Sequence, residues 1–213
     1  MRPADTWVDY ELIDATNHNR LERWGKTLLI RPDPQIIWKN EEVSPLWARA
    51  DAIYYRSAKG GGQWDYHKKL PQKWNIKWQD LTLIVSPTGF KHTGVFPEQA
   101  VNWAWYQEKI KAADRPVKVL NLFGYTGGAT LACLAAGASV THVDASKGMV
   151  AWARENAQAS SLAGSWMPVP SLCSARSAAA AAMTPLSWTR PAMAAAPTVR
   201  SGSWKITSMT SSP

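Results

Sequence analysis

The sequence predicts an α/β protein in which a truncated, doubly wound parallel sheet follows a small β-rich domain. Two observations predict this fold. Residues 1–95 contain short apolar runs separated by turn residues, a pattern typical of strands in a largely antiparallel sheet. From Pro97 onward, predicted helices and strands alternate, and that alternation is typical of a parallel sheet covered by helices.

The N-terminal domain, residues 1–95, is predicted from its apolar runs and the turns between them. The segment Gly60–Gly62 is predicted as a turn because glycine adopts the backbone conformations that tight turns require. The tryptophans of this domain are expected to pack in the core and between strands rather than to stack on bases. Five runs are predicted as strands: Leu28–Pro32, Gln35–Trp38, Ala52–Arg56, Trp74–Trp78 and Leu81–Pro87.

The second domain, residues 96–163, is predicted from helical and strand periodicity. Pro97 stands at a first helical position, with acidic residues early and lysines late in the same stretch, as helix N- and C-termini favour. The small residues after Thr126 suit a helix that packs closely on a sheet. The successive elements are helix Pro97–Ala113, strand Val117–Leu122, helix Thr126–Ala136, strand Ser139–Asp144 and helix Lys147–Ala159.

Charge and cysteine content exclude several classes of protein. The net charge is +8, but half of it lies beyond the last acidic residue, Glu155, so the charge is weak evidence for a nucleic-acid partner. Cys133 and Cys173 form neither a disulfide framework nor a metal-ligand set, and Cys133 is expected to be a core thiol. No apolar run is long enough to span a bilayer. We expect a cytoplasmic protein without a metal or a membrane segment; the oligomeric state stays open.

The chemistry is predicted at the turn after the first parallel strand, Phe123–Gly128. Glycines there let a ligand approach the backbone, and the free N–H groups of the next helix can hold a carboxylate. Asp144 ends the next strand, 23 residues after Asn121, where a carboxylate can accept hydrogen bonds from ribose hydroxyls. The glycines do not form G-x-G-x-x-G, and no phosphate-binding Gly-Lys-Ser/Thr follows, which favours a nucleoside without a pyrophosphate.

Four segments resemble a known family. Asn121–Thr130 is similar to the first motif of the class I methyltransferases that use S-adenosylmethionine (SAM), within the group related to the bacterial 23S ribosomal-RNA large-subunit methyltransferases. Gly89–Gln99 resembles that group's segment before the first Rossmann strand. Val143–Gly148 and Ala153–Ala157 resemble its second motif and the following helix. The resemblance spans roughly residues 8–163 and implies a truncated Rossmann-like fold, SAM as cofactor and an RNA substrate.

The resemblance also implies roles for residues of this chain. It assigns no catalytic residue. Asn121 stands where many relatives have aspartate, and Asn156 is expected to fix a turn rather than to touch substrate. Thr126 is equally compatible with capping the helix. For Lys91 and His92, a solvated loop is favoured over contact with a nucleic acid. The implied cofactor-binding residues are Asn121, Phe123, Gly124, Tyr125, Thr126, Gly127, Asp144, Ala145 and Ser146. The implied substrate or lid residues are Lys91, Thr93, Phe96 and Gln99.

Residues 164–213 lack the motifs that the resemblance leads us to expect there, an acid near the adenine and then Asp-Pro-Pro-Ser-Tyr-Gly. Reading the codons of Ser187–Ala194 one nucleotide out of step forces aspartate at the Trp188–Thr189 junction and glycine at Met193–Ala194, and the other positions allow Met-Asp-Pro-Pro-Ser-Tyr-Gly. We therefore predict that residues 164–213 are an out-of-frame, disordered tail, with the frame change between about Ser160 and Met167.

An out-of-frame tail predicts an incomplete enzyme. A sheet that has only two of its usual strands leaves apolar edges uncovered. We therefore expect a chain that folds poorly, binds cofactor weakly and transfers no methyl group. Two other functions stay open on the sequence. One is a non-catalytic RNA-binding module built on residues 1–95, and the other is a nicotinamide-dependent oxidoreductase.

Overall fold

The structure is a computed structural model that describes residues 3–57, 60–164 and 166–169. The N-terminal strands are β1 (Tyr10–Thr16), β2 (Asn19–Trp24), β3 (Thr27–Pro32), β4 (Ala52–Arg56), β5 (Gly62–Tyr66), β6 (Trp74–Trp78) and β7 (Leu81–Val85). The C-terminal elements are α1 (Ala100–Lys111), β8 (Lys118–Leu122), α2 (Gly128–Ala135), β9 (Ser139–Val143), α3 (Lys147–Ala159) and β10 (Trp166–Val169). Short 3₁₀ helices occupy Pro45–Arg49 and Pro97–Gln99.

The N-terminal strands form a five-stranded sheet, β1 to β5 in sequence order, and a separate hairpin of β6 and β7. All neighbours are antiparallel except β3 and β4, which confirms a largely antiparallel domain. The predicted strand Gln35–Trp38 is wrong. That segment is irregular: the N–H groups of Ile36 and Ile37 donate to the nearby carbonyls of Asp33 and Gln35 at 3.1 Å, which are turn bonds and not strand pairing.

The C-terminal part confirms the predicted α/β alternation. Strands β10, β9 and β8 are parallel and adjacent in that order, and the three helices lie where the periodicity places them. The sequence indicated two strands, and the third, β10, lies at the start of the predicted tail. Parallel pairing uses the backbone of β9 and so requires no side-chain pattern. Residue 165 and residues 170–213 lie outside the described residues, and their out-of-frame origin stays a prediction.

One hydrophobic core extends across residue 95. Trp7 and Trp78 from the N-terminal part meet Trp103 of α1, with ring centroids 5.9 and 5.3 Å from the ring of Trp103. The indole rings of Trp7, Trp24 and Trp78 are buried, which confirms the expectation of core packing for these three, whereas Trp38 is 51% exposed and does not lie in the core. The boundary between domains at residue 95 stays a prediction, since both sides contribute to this core.

Cys133 lies in a second cluster between α1, α2 and the parallel sheet and is 5% exposed, which confirms it as a core thiol. Burial raises the pKa of its thiol to about 12. Among the described residues, no helix is long and apolar enough to cross a membrane, and no group of metal-ligating side chains is gathered.

A wholly buried ion pair lies in the five-stranded sheet. The guanidinium of Arg31 on β3 donates two hydrogen bonds, of 2.6 and 2.8 Å, to the carboxylate of Glu22 on β2. The Tyr10 hydroxyl donates to the same carboxylate at 2.8 Å, so both oxygens are satisfied. Arg31 also donates to the backbone carbonyl of Lys91 at 2.9 Å. The pair therefore anchors the segment before α1 (Gly89–Gln99) to the N-terminal sheet.

Candidate functional site

The candidate site is the turn between β8 and α2, at the carboxyl end of the parallel strands. Phe123, Tyr125 and Gly127 have positive φ angles of 57°, 52° and 92°. The Gly124 N–H donates to the carbonyl of Val143 at 2.9 Å, and the Gly127 N–H donates to the Gly124 carbonyl at 3.0 Å. Positive φ is costly for residues with a side chain, so tertiary contacts must hold this turn in shape.

Two glycines of the turn have no room for a side chain. A Cβ on Gly124 would lie 2.3 Å from the His142 ring, and one on Gly128 would lie 2.4 Å from the Trp103 ring. The backbone of the turn consequently lies directly on β9 and α1. The two glycines therefore allow close packing beneath the turn, and the approach of a ligand to its backbone stays a prediction.

Asp144 is fixed by the backbone of the two loops that form the site. One carboxylate oxygen accepts the Tyr125 N–H at 2.9 Å and the other accepts the Ser146 N–H at 2.8 Å. Because a carboxylate oxygen accepts two hydrogen bonds, each retains capacity for a hydroxyl of a ligand. Ser146 is the N-cap of α3, and its hydroxyl accepts the Met149 N–H at 3.3 Å; Ala145 beside it is exposed.

The segment before α1 contacts the turn through aromatic rings. Phe96 lies between His92 and Tyr125, with centroid distances of 5.3 and 5.1 Å. Burial, followed by the nearby charges of Arg31 and Lys91, lowers the pKa of His92 to about 4. Burial raises the pKa of Tyr125 to about 12. The three rings are therefore uncharged at neutral pH, which suits contact with an uncharged nucleoside.

The predicted lid residues occupy different environments. Thr93 is wholly buried and Lys91 is partly buried, its amine 3.5 Å from the Pro32 carbonyl. Burial and then the charge of Arg20 lower the pKa of Lys91. Gln99 accepts a hydrogen bond from Asn102 at 2.9 Å. Of the four, Phe96 directly contacts the turn through a ring.

Thr126 does not cap the helix. The N-cap of α2 is Gly127, and the Thr126 hydroxyl donates instead to the Gly94 carbonyl in the segment before α1. Replacing Thr126 with valine should leave that buried carbonyl unsatisfied and lower the free energy of unfolding by about 1–3 kcal/mol. Chemical denaturation would measure this loss. Thr126→Ser retains the hydroxyl and should lose much less, and equal losses in the two variants would contradict the role of the hydrogen bond.

Asn121 and His142 lie beneath the turn. The Asn121 amide donates to the Thr130 hydroxyl at 2.8 Å, and this hydroxyl lies 2.9 Å from His142 Nδ1. Burial lowers the pKa of His142 to about 4, so the ring is neutral. His142 and Thr130 were not predicted. A histidine in the middle of a buried strand was the signal in the sequence that could have revealed them.

Comparison with known proteins shows which proteins this chain is similar to. No family model matches the chain. The crystal structure of a SAM-dependent methyltransferase from Agrobacterium tumefaciens superposes with a TM-score of 0.73 and is 40% identical, over 77% of this chain and 53% of that one. The chain is similar to SAM-dependent methyltransferases. Its parallel sheet has a Rossmann-like fold, as in those enzymes, and the turn and Asp144 occupy the carboxyl edge of the strands.

Curated relatives indicate a narrower group. The ribosomal RNA large subunit methyltransferase K/L of Magnetococcus marinus is 38% identical over 99 residues, which are 46% of this chain and 13% of that protein. The protein of the same name from Vibrio cholerae is 34% identical over 101 residues, 47% of this chain and 14% of that one. The chain therefore spans about half the length of the Agrobacterium methyltransferase and matches a much smaller share of these two.

Proposed function

We propose that the chain binds SAM at the turn Phe123–Gly128 and represents the cofactor half of an enzyme that methylates RNA, with ribosomal RNA as the substrate class and the cytoplasm as its place of action. The observation that carries this proposal is Asp144, held at the strand tip by the backbone of both site loops. The close packing of Gly124 on His142 of β9 fixes the shape of the turn on which the ligand would lie.

The proposed roles follow from position. The N–H groups at the start of α2 would hold the methionine carboxylate, and Asp144 would accept the ribose hydroxyls. Phe96 and Tyr125 would exclude water beside the nucleoside. SAM, when bound, supplies an electrophilic methyl group, so the contribution of the protein is chiefly to position the donor against the acceptor. Asn121, Gly127, Ala145 and Ser146 complete the proposed binding set.

The RNA partner is supported by the names of the curated relatives and by one surface groove. A cavity of about 490 Å³ is lined by Lys68, Lys69 and Lys73 and by the half-exposed residue Tyr66. Lys68 and Lys73 are paired with Asp51 and Glu155 at 2.6 and 2.5 Å, so a phosphate would compete with these carboxylates. Lysines that neutralise phosphates together with an exposed aromatic ring form the combination that binds single-stranded nucleic acid. The groove is the surface that we propose for RNA contact.

The test compares two chains: the present one, and one in which the codons after residue 163 are read in the alternative frame. S-adenosylhomocysteine (SAH) should bind weakly to the present chain and more tightly to the frame-restored chain, and NAD should not displace it. Tritiated SAM should label unmodified 23S ribosomal RNA only with the frame-restored chain. Displacement by NAD would favour an oxidoreductase, and absence of SAH binding by the present chain would contradict the proposed function.

A further inference from the structure

Helix α3 lies along the edge of β7 and provides the hydrogen-bond partners that this edge needs. β7 pairs with β6 on one side only, so the backbone groups on its other edge require partners from elsewhere. Trp152 Nε1 donates to the Ile84 carbonyl at 3.0 Å. The Ser160 hydroxyl accepts the Thr82 N–H at 3.0 Å and donates to the Thr82 carbonyl at 2.9 Å. Residues 152, 156 and 160 are four apart, so they share one face of the helix.

Asn156, the middle residue of that face, makes a contact that its neighbours do not. Its side-chain oxygen accepts the Ile84 N–H at 2.7 Å, and its side-chain nitrogen donates to the Thr126 carbonyl at 2.7 Å. Asn156 is wholly buried. Thr126 is in the middle of the candidate cofactor turn. One amide group thus joins the edge of the N-terminal hairpin to the turn.

The turn needs such support from outside the parallel sheet. Its residues Phe123 and Tyr125 have positive φ angles, which a free chain would relax. The Thr126 side chain is fixed to Gly94, and Gly94 packs on Trp152 so closely that a Cβ there would lie 2.4 Å from the indole. The carbonyl of Thr126 is fixed by Asn156. The N-terminal part of the protein therefore restrains the shape of the turn from two directions.

We propose that Asn156 is a positioning residue for cofactor binding, which sets the turn by linking the Thr126 carbonyl to β7. The proposal rests on the proposed function. The link needs a donor and an acceptor on one short planar group, and asparagine offers both. An aspartate would accept from Ile84, but in its ionised form it would place a negative oxygen against the Thr126 carbonyl. A protonated carboxyl group would restore the donor.

This chemistry gives a test that separates positioning from simple packing. The variants are Asn156→Asp, Asn156→Ala and Ser160→Ala, and the readouts are SAH affinity by ligand-observed NMR between pH 5.5 and 8 and the melting temperature without ligand. Ser160→Ala is the matched control, because it breaks the same helix–strand contact without reaching the turn. His92 and His142 do not titrate in this range, since the pKa of each is about 4.

At pH 8, Asn156→Asp should weaken SAH binding at least tenfold, and the affinity should recover as the pH falls and the introduced carboxyl group is protonated. Asn156→Ala should show the same loss without recovery, and Ser160→Ala should bind within twofold of the wild type. Equal losses for Asn156→Ala and Ser160→Ala, or a pH-independent loss for Asn156→Asp, would overturn the proposal. If the wild type binds no SAH at any pH, the proposed function itself is overturned. That result differs from the two outcomes above, in which the wild type binds SAH and the variants decide.

Discussion

Replacing Arg31 with methionine should lower the free energy of unfolding by about 3–5 kcal/mol, because the buried carboxylate of Glu22 loses its two charged hydrogen bonds and keeps, as a cation, only the more distant guanidinium of Arg20, 3.7 Å away. Both side chains are at most 2% exposed, so water cannot compensate. Urea denaturation followed by tryptophan fluorescence would measure the loss. A loss below about 1 kcal/mol would show that Glu22 finds another partner and would contradict the prediction.

The pH dependence of this variant has a definite sign. Burial alone would raise the pKa of Glu22, but the charge and hydrogen bonds of Arg31 lower this pKa below its usual value in the wild type. The wild-type pair therefore stabilises the fold above the pKa of the unfolded state and loses this contribution as the pH falls through the folded pKa. Without Arg31, burial raises the Glu22 pKa, so the variant gains relative stability on acidification. The difference between the two should narrow from pH 7 to pH 4.

A paired replacement provides the control. Glu22→Gln combined with Arg31→Met removes both charges and retains an acceptor for the Tyr10 hydroxyl, so it should recover most of the stability lost in Arg31→Met. It cannot restore the hydrogen bond from Arg31 to the Lys91 carbonyl. Any remaining difference in SAH affinity would therefore measure how much that hydrogen bond holds the segment before α1 in place.

The same ion pair explains why part of the N-terminal sheet could not be predicted. β1 and β2 carry acids and arginines along their length, and the sequence does not show that Glu22 and Arg31 neutralise each other inside the core. β5, with Gly62 at its first position and Asp65 within it, also lacks an apolar run. The strands that were predicted correctly in this part, β3, β4, β6 and β7, have the apolar patterns that periodicity detects.

The α/β part as far as α3 could be predicted because its elements are local and periodic, whereas β10 was missed. The position of Asp144 at the tip of β9 also followed from the sequence, since strand ends of a parallel sheet share one edge. The expectation that Asn156 fixes a turn is confirmed by its hydrogen bond to Thr126, but its partner on β7 was not predictable. Ile84 is 72 residues away in sequence. Such a long-range contact depends on how α3 packs on β7, which the residue pattern of neither element reveals.

Replacing Gly124 with alanine should weaken SAH binding at least about tenfold, which corresponds to about 1.4 kcal/mol of binding free energy. The added Cβ would lie 2.3 Å from Cε1 and 2.4 Å from Nδ1 of His142. His142 is wholly buried and lies within hydrogen-bonding distance of the Thr130 hydroxyl, so the ring cannot move aside and the turn must lift from β9. The Tyr125 N–H would then move away from Asp144. The N–H groups at the start of α2 and the Asp144 carboxylate, which are the two proposed ligand contacts, would be displaced together.

Two controls isolate this cause. Gly148→Ala places a methyl group near the same site in open space, where the nearest atom is the Ser146 hydroxyl at 3.8 Å, so binding should not change. Combining Gly124→Ala with His142→Ala removes the ring that obstructs the new methyl group and should restore part of the affinity. If Gly124→Ala binds SAH as the wild type does, the turn does not depend on close contact with β9, and the proposed geometry of the cofactor site fails.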